Sequence, residues 1–313
     1  MNDDKYTIES GHLDVGNGHK IYYQRWGNPK AKPTLAFHGG PGSQSSDKHK
    51  LVFDPEQHQI IFYDQRGCGQ SAAKDFMVYN TIDDLVDDAE KLRKKFRFDK
   101  VQLYGFSWGS TMALYYAIKY PKNVSKILFG GVFTGSRAEY DDIHQGVIIS
   151  KFFPEAWDRY LSIVPEEHRD DTINYYHGVF TTGTDQEKLE HLRRWSQLEA
   201  SAMSIDSDYT ATRHMADSIE DLENLQSTLI FINYNKNNSY LPDRHILNNV
   251  HKISHIPSVL VQGRYDSVTP PHIAHQIAKS IGDSCRLHFV PTSHKIENAQ
   301  REVIRAYTWS FLE

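Results

Sequence analysis

The sequence predicts an α/β fold with a mainly parallel central sheet, flanked by helices and interrupted by a helical insertion. Apolar runs alternate with helical patterns in the first and last parts of the chain, as expected for strands joined by crossover helices. Between about residues 136 and 245, strand-like runs nearly vanish and aromatic and charged residues dominate. We therefore predict a core domain formed by residues 1–135 and 246–313, and a helical cap domain formed by residues 136–245.

The strands and helices follow one another in a regular order. Alternating residues on either side of Asn17-Gly18 predict an antiparallel hairpin, since Asn-Gly is a strong turn signal. Apolar runs predict further strands at residues 34–37, 59–63, 101–104, 127–129, 258–262 and 286–290. Apolar side chains at helical spacing predict helices at residues 81–95, 111–119, 152–160, 187–204 and 298–312.

Composition excludes several classes of protein. The 313 residues carry a net charge of −5 with acids and bases mixed, whereas a nucleic-acid surface needs a basic stripe. No apolar stretch is long enough for a transmembrane helix, and the first ten residues lack the apolar region of a secretory signal. Cys68 and Cys285 are the only cysteines, so we expect no disulfide framework and a cytoplasmic location. No Cys/His cluster has the spacing of a metal site, and we expect no bound metal.

The segment Gly105-Phe-Ser-Trp-Gly109 has the layout of a nucleophile elbow, because an apolar run precedes it and a helical pattern follows it. The turn from strand to helix is so sharp that its central residue, Ser107, is expected in a strained conformation. The two glycines let strand and helix approach each other. We therefore predict Ser107 as a catalytic nucleophile.

A serine hydroxyl needs a base, and the base needs a carboxylate that orients it. In α/β-hydrolases these residues follow the serine in the order Asp, His. Asp266 follows the strand predicted at 258–262, and His294 follows the strand predicted at 286–290. Both are expected at the sheet edge where Ser107 projects. Such histidines commonly follow a glycine, whereas Ser293 precedes His294 here.

The oxyanion of an acyl-transfer intermediate needs N–H donors. One donor is expected from Trp108, the residue after the nucleophile, and the other from the loop after the first parallel strand. That loop reads His38-Gly-Gly-Pro-Gly42. We favour the N–H of Gly40 as the second donor, with Gly39 as the alternative.

The segments His38-Gly-Gly-Pro-Gly42, Asp64-Gln-Arg-Gly-Cys-Gly-Gln-Ser71 and Gly105-Phe-Ser-Trp-Gly-Ser110 together resemble the proline iminopeptidases, or prolyl aminopeptidases, of the α/β-hydrolase superfamily. Further agreement in Phe153-Pro-Glu-Ala-Trp-Asp-Arg-Tyr160 and Gly263-Arg-Tyr-Asp266 extends the resemblance over nearly the whole chain. The resemblance implies a serine peptidase that removes an N-terminal residue, typically proline, without a cofactor. The helical insertion would close the pocket over short substrates.

The family binds the free N-terminal amine of its substrate with carboxylates of the cap. The resemblance assigns one of them to Glu199, in Trp195-Ser-Gln-Leu-Glu199. The position of a second glutamate matches Phe231, in Leu229-Ile-Phe-Ile-Asn-Tyr-Asn235. A desolvated ammonium needs a paired charge, so Glu199 favours a peptidase. Phe231 and Leu198 make the pocket more apolar and favour neutral acyl groups.

Two functions therefore stay open at this stage. The first is an aminopeptidase for short peptides that begin with proline or another small apolar residue. The second is a carboxylesterase or amidase of the same fold that acts on neutral acyl substrates. Both need a small peptide or acyl substrate and neither needs a nucleic acid or a membrane. The sequence leaves open the oligomeric state and whether Cys68 is structural or regulatory.

Overall fold

The computed structural model describes residues 5–204, 206–296 and 298–312, so the first residues of the predicted core domain lie outside the described part. Its strands are β1 (Thr7–Gly16), β2 (His19–Gly27), β3 (Pro33–Phe37), β4 (Gln59–Tyr63), β5 (Ala72–Ala73), β6 (Val101–Phe106), β7 (Val124–Gly130), β8 (Ser258–Gly263) and β9 (Cys285–Val290). Each strand predicted from an apolar run is present.

These strands form one sheet with the order β1-β2-β4-β3-β6-β7-β8-β9, and β5 pairs with β2. The six strands β4, β3, β6, β7, β8 and β9 run parallel to one another, and β4 is antiparallel to β2 on its other side. β1 and β2 form the predicted antiparallel hairpin, and Asn17 at its turn has a φ of 55°. Because parallel strands share one direction, their carboxyl ends meet at one edge of the sheet. The prediction of a mainly parallel sheet is confirmed.

The helices of the described residues are α1 (Ile82–Lys95), α2 (Trp108–Lys119), α3 (Arg137–His144), α4 (Ile149–Phe152), α5 (Pro154–Leu161), α6 (Thr172–Thr182), α7 (Asp185–Ala202), α8 (Tyr209–Asp217), α9 (Leu225–Lys236), α10 (His245–Asn249), α11 (Pro271–Ile281) and α12 (Asn298–Phe311). The helix predicted from residue 152 begins two residues later, because Pro154 occupies the first helical position and Phe153 is not helical. α11 was not predicted, although its buried Ala274, Ile277 and Ile281 have helical spacing.

Helices cover both faces of the sheet. Alternate strand residues point to opposite faces, so Leu35 and Phe37 belong to one hydrophobic cluster and Ala36 to another. The first cluster contains buried residues of α1, α2 and α11, and the second contains Ile304 of α12. The sheet therefore has the layered arrangement of an α/β protein.

A third hydrophobic cluster lies within the insertion. Its buried residues run from Ile149 to Ile232 and include Trp195 of α7 and Tyr160 of α5. Phe231 packs against this cluster and also against the first cluster of the sheet. The division of the chain at residues 135 and 245 stays a prediction.

Among the described residues, no helix is both long enough and apolar enough to cross a membrane. Within the same ranges, no three His, Cys, Asp or Glu side chains are grouped so that they could hold a metal ion. Cys68 and Cys285 are both free thiols.

Candidate active site

The turn between β6 and α2 holds Ser107 in a strained conformation, with φ 57° and ψ −129°. The strain is imposed by close packing on both sides of the serine. A Cβ on Gly105 would lie 2.0 Å from the carbonyl oxygen of Gly109, and a Cβ on Gly109 would lie 2.3 Å from the carbonyl oxygen of Phe37. Only glycine fits at both positions, and the partly exposed Ser107 is held at the tip of the turn.

The loops after β8 and β9 bring Asp266 and His294 to the same edge of the sheet. His294 Nε2 lies 3.0 Å from Ser107 Oγ, and His294 Nδ1 lies 2.9 Å from Asp266 Oδ2. Since the carboxylate accepts a hydrogen bond from the Nδ1–H group, the proton stays on Nδ1 and Nε2 is free to accept the hydroxyl proton of the serine. This arrangement can generate a serine nucleophile and return the proton to a leaving group.

Asp266 is buried, with 3% of its surface exposed, and its carboxylate is surrounded by donors. Oδ1 accepts hydrogen bonds from the backbone N–H groups of Val268 at 3.0 Å and Thr269 at 2.8 Å. Oδ2 accepts from the Thr269 hydroxyl at 2.7 Å and from the Gln262 amide at 3.2 Å, as well as from His294. These bonds fix which oxygen faces the histidine.

The candidate oxyanion donors lie beside the serine. Trp108 is the first residue of α2, and the first N–H groups of a helix have no partner within it. On the other side, a Cβ on Gly39 would lie 3.8 Å from Ser107 Cβ, so this glycine runs alongside the serine. Gly40 follows with a φ of 120°, a conformation that favours glycine. The choice between Gly40 and Gly39 stays a prediction.

A buried network that the sequence analysis missed joins the two sides of this candidate oxyanion hole. Gln65 Oε1 accepts a hydrogen bond from the Trp108 indole at 2.9 Å. The backbone N–H of Gln65 donates to His38 Nε2 at 3.0 Å, and its side-chain amide donates to the His38 carbonyl oxygen at 3.3 Å. Burial lowers the pKa of His38 to about 4, so the ring is neutral and can accept this bond.

The only sequence signal for Gln65 is its place in the segment 64–71, one of those that resemble the proline iminopeptidases. Gln65 and Trp108 are 43 residues apart, and no local pattern connects them. Gln262 and Thr269 escaped notice for a similar reason, because their partner Asp266 is defined by a loop conformation rather than by a periodic pattern.

Glu199 lies in the last turn of α7 and is partly buried. Burial raises the pKa of its carboxyl group to about 7. The pKa of Tyr160 is raised mainly by burial and also by the nearby charge of Glu199. A carboxylate in such surroundings gains from a cationic partner more than an exposed one does.

Phe231 of α9 lies in an aromatic cluster close to the same helix. Its ring centre is 5.8 Å from that of Trp195, 5.1 Å from that of His144 and 5.9 Å from that of Tyr140. Trp195 thus touches Phe231 and is also one helical turn from Glu199. The structure brings the two candidate substrate-binding residues to the same part of the insertion.

Cys68 lies on the segment 64–71 but is fully enclosed, with 3% of its surface exposed. Burial raises the pKa of its thiol far above the neutral range, so the thiol stays protonated. Reactive cysteines are partly exposed and have a lowered pKa, and Cys68 has neither property.

The fold and the geometry around Ser107 define a hydrolase of the α/β-hydrolase class. In agreement, a family model described as the alpha/beta hydrolase fold matches residues 33–296. More specifically, the chain belongs to the proline iminopeptidase family. It is 36% identical over 269 residues to the proline iminopeptidase of Xylella fastidiosa, covering 84% of this chain and 83% of that protein. It is 33% identical to the proline iminopeptidase of Neisseria meningitidis serogroup A, covering 93% and 92%. The resemblance noted in the sequence is therefore confirmed.

Solved structures show the same fold at lower identity. An alpha/beta hydrolase enzyme from a Medee basin deep-sea metagenome library has a TM-score of 0.68 and 17% identity, covering 96% of each chain. The esterase from Exiguobacterium antarcticum has a TM-score of 0.64 and 16% identity, covering 97% of this chain and 99% of that one. At this identity the likeness concerns the fold alone.

Proposed function

We propose that this protein is a serine peptidase that releases an N-terminal residue, proline or a small apolar residue, from short peptides with a free amine. The observation that carries this proposal is the partly buried carboxyl group of Glu199, on a helix whose end contacts the loops of Asp266 and His294. The relatives named proline iminopeptidase support the same reaction.

In the proposed reaction, Ser107 Oγ attacks the carbonyl carbon of the N-terminal residue while His294 Nε2 takes the hydroxyl proton. Asp266 stabilises the imidazolium that forms. The N–H groups of Trp108 and Gly40 hold the oxyanion. His294 then gives the proton to the leaving amine, and an acyl-enzyme remains on Ser107. A water molecule attacks the acyl-enzyme with His294 again as the base, which releases the N-terminal amino acid and restores the serine.

Residues 136–245 act in this proposal as a cap over the site. Glu199 pairs with the substrate's ammonium group and so fixes how far the peptide reaches towards Ser107. The aromatic group around Phe231 surrounds the apolar side chain of the N-terminal residue. We also propose a cytoplasmic location, which the two free cysteines support.

The second candidate is a carboxylesterase or amidase that acts on neutral acyl groups. It is favoured by Phe231, which places an aromatic ring among Trp195, His144 and Tyr140 where the family pattern has a carboxylate. A single remaining carboxylate weakens the selection for a free amine. The two candidates differ in whether Glu199 contributes to turnover.

Replacing Glu199 by Gln is expected to lower kcat/KM for prolyl-naphthylamide by about ten- to hundredfold, because a charge-assisted contact to the ammonium is lost. It should leave p-nitrophenyl acetate largely unaffected, since this ester has no ammonium group. The measurement is the ratio of kcat/KM for the two substrates in both enzymes. An unchanged ratio would make Glu199 an ordinary residue of α7 and would favour the esterase.

The ratio should also depend on pH. The pKa of Glu199 is raised to about 7, so the carboxylate forms above that pH and is lost below it. We expect the ratio of kcat/KM for prolyl-naphthylamide over p-nitrophenyl acetate to fall as pH drops through about 7. It should fall again above about pH 8, where an α-amine loses its charge. Both substrates use the same triad, so its titration cancels in the ratio. If the ratio still falls below about pH 7 in Glu199→Gln, the fall is caused by the titration of another group.

A further inference from the structure

The last turn of α7 is hydrogen-bonded to both loops that carry the partners of Ser107. The hydroxyl of Ser267, next to Asp266, donates to the carbonyl oxygen of Ala202 at 3.3 Å. The hydroxyl of Ser293, next to His294, donates to the carbonyl oxygen of Met203 at 3.2 Å. The backbone N–H of Lys295 donates to the same oxygen at 3.1 Å.

These bonds satisfy carbonyl groups that the helix itself leaves unpaired. The last four carbonyl groups of an α-helix have no partner within it, and α7 ends at Ala202. Ser267 and Ser293 are each only 6% exposed, so water competes poorly for these carbonyl groups. Val268, between Ser267 and Thr269, packs against the hydrophobic cluster of the insertion. The contact between the insertion and the loops that carry Asp266 and His294 therefore has both a polar and an apolar part.

We propose that Ser267 and Ser293 are positioning residues that set the distance between the amine-binding carboxylate and the nucleophile. Glu199 lies one helical turn before Met203, so the anchored end of α7 carries it. Asp266 and His294 lie one residue from the anchoring serines. The loops that carry Asp266 and His294 thus also hold the end of α7, and with it Glu199, which binds the substrate's N-terminal ammonium group in this proposal. This inference rests on the proposed amine-binding role of Glu199.

The anchoring accounts for a departure noted in the sequence. A glycine commonly precedes the histidine of this fold, and glycine has no hydroxyl to donate. Ser293 supplies that donor to Met203. The N-terminal residue of a peptide must reach Ser107 and Glu199 at the same time, and small misplacements of reacting groups are costly. A small ester has no ammonium group to bind, so its turnover depends on the triad and not on the position of α7.

The test compares the double variant Ser267→Ala, Ser293→Ala with the unaltered enzyme. We expect kcat/KM for prolyl-naphthylamide to fall about tenfold, because two buried hydrogen bonds are lost and the carboxylate shifts. The value for p-nitrophenyl acetate should change by less than about twofold, since the triad keeps its own hydrogen bonds. Equal losses on both substrates would show that the serines support the triad itself, and would overturn the proposal.

Ser201→Ala is the matched control. Ser201 is also a buried serine of α7, with 3% exposure, but its hydroxyl bonds to Thr212 of α8 within the insertion at 3.2 Å. It should lose stability without changing the ratio of the two kcat/KM values. If Ser201→Ala lowers the ratio as much as the double variant, general loosening of α7 explains the effect and the proposal fails.

A cycle with Glu199→Gln separates this inference from the proposed function. Once Glu199 is removed, its position no longer matters, so the serine changes should have little further effect on prolyl-naphthylamide. If Glu199→Gln lowers the ratio and the serine changes do not, only the positioning role fails. If Glu199→Gln leaves the ratio unchanged, the proposed function fails.

Hydrogen exchange gives a readout apart from activity. The Lys295 N–H donates to the anchored Met203 carbonyl, so its exchange should become faster in the double variant but not in Ser201→Ala. Unchanged protection of this amide in the double variant would contradict the anchoring.

Discussion

Ser107→Ala is expected to abolish turnover of every substrate while the protein stays folded. Alanine fits the space of serine, and the elbow keeps its shape because Gly105 and Gly109 are unchanged. The loss in kcat should exceed about a thousandfold, since the members of a triad act as a unit and the remaining donors account for only part of the acceleration. This loss is measured by comparing the steady-state kcat of both enzymes with prolyl-naphthylamide and with p-nitrophenyl acetate.

Covalent labelling with a fluorophosphonate identifies the nucleophile directly. Mass spectrometry should locate the label on Ser107 in the unaltered enzyme and find none in Ser107→Ala. Ser110→Ala is the control, because the buried Ser110 hydroxyl pairs with the Ser107 carbonyl oxygen and with the Phe133 N–H. It should unfold at a lower temperature and still be labelled. Substantial activity or labelling in Ser107→Ala would mean that another residue is the nucleophile.

Asp266→Asn should lower kcat nearly as much as Ser107→Ala does, although it only replaces one carboxylate oxygen by an NH₂ group. Oδ1 accepts two backbone N–H groups, so the new amide must keep its oxygen there and turn its NH₂ group towards His294. His294 Nδ1 then becomes the acceptor and the proton moves to Nε2, which can no longer take the hydroxyl proton of Ser107. We expect kcat to fall by about ten-thousandfold, the size of effect known for the wrong tautomer in a serine triad.

The control for this change is Asp88→Asn. Asp88 is buried to 1% exposure like Asp266, but it pairs with Arg66 at 2.5 and 2.8 Å rather than with His294. Breaking a buried ion pair lowers stability, so Asp88→Asn should lower Tm while leaving kcat within about an order of magnitude. Comparable kcat values for Asp266→Asn and the unaltered enzyme would remove Asp266 from the proposed mechanism.

The strands were predicted well because their signals are local. A buried parallel strand is a short apolar run, and the buried strands β3, β4 and β8 have that character. Helix ends depend on single residues such as Pro154, which an apolar period does not indicate. α11 also has apolar residues at helical spacing, but no helix was predicted there.

The residues of the candidate site also differ in whether a local sequence pattern indicates them. Ser107 lies in a motif whose strand, turn and helix are adjacent in the chain, and Asp266 and His294 each follow a recognisable strand. The structure places His294 within hydrogen-bonding distance of both Ser107 and Asp266. Phe231 and Glu199 were reached only through the family resemblance, because one partly buried residue on a helix resembles many others.

The sequence by itself determined the α/β architecture, the elbow around Ser107 and the order of its partners, because each depends on residues that are neighbours in the chain. Only the tertiary structure decided which groups support them. Gln65 reaches Trp108 across 43 residues, and Ser293 reaches Met203 across 90. The tertiary structure also raises the pKa of Glu199, since the burial of a carboxyl group depends on all the segments that surround it. Contacts and desolvation of this kind arise when distant segments pack together, and no local period in a sequence records them.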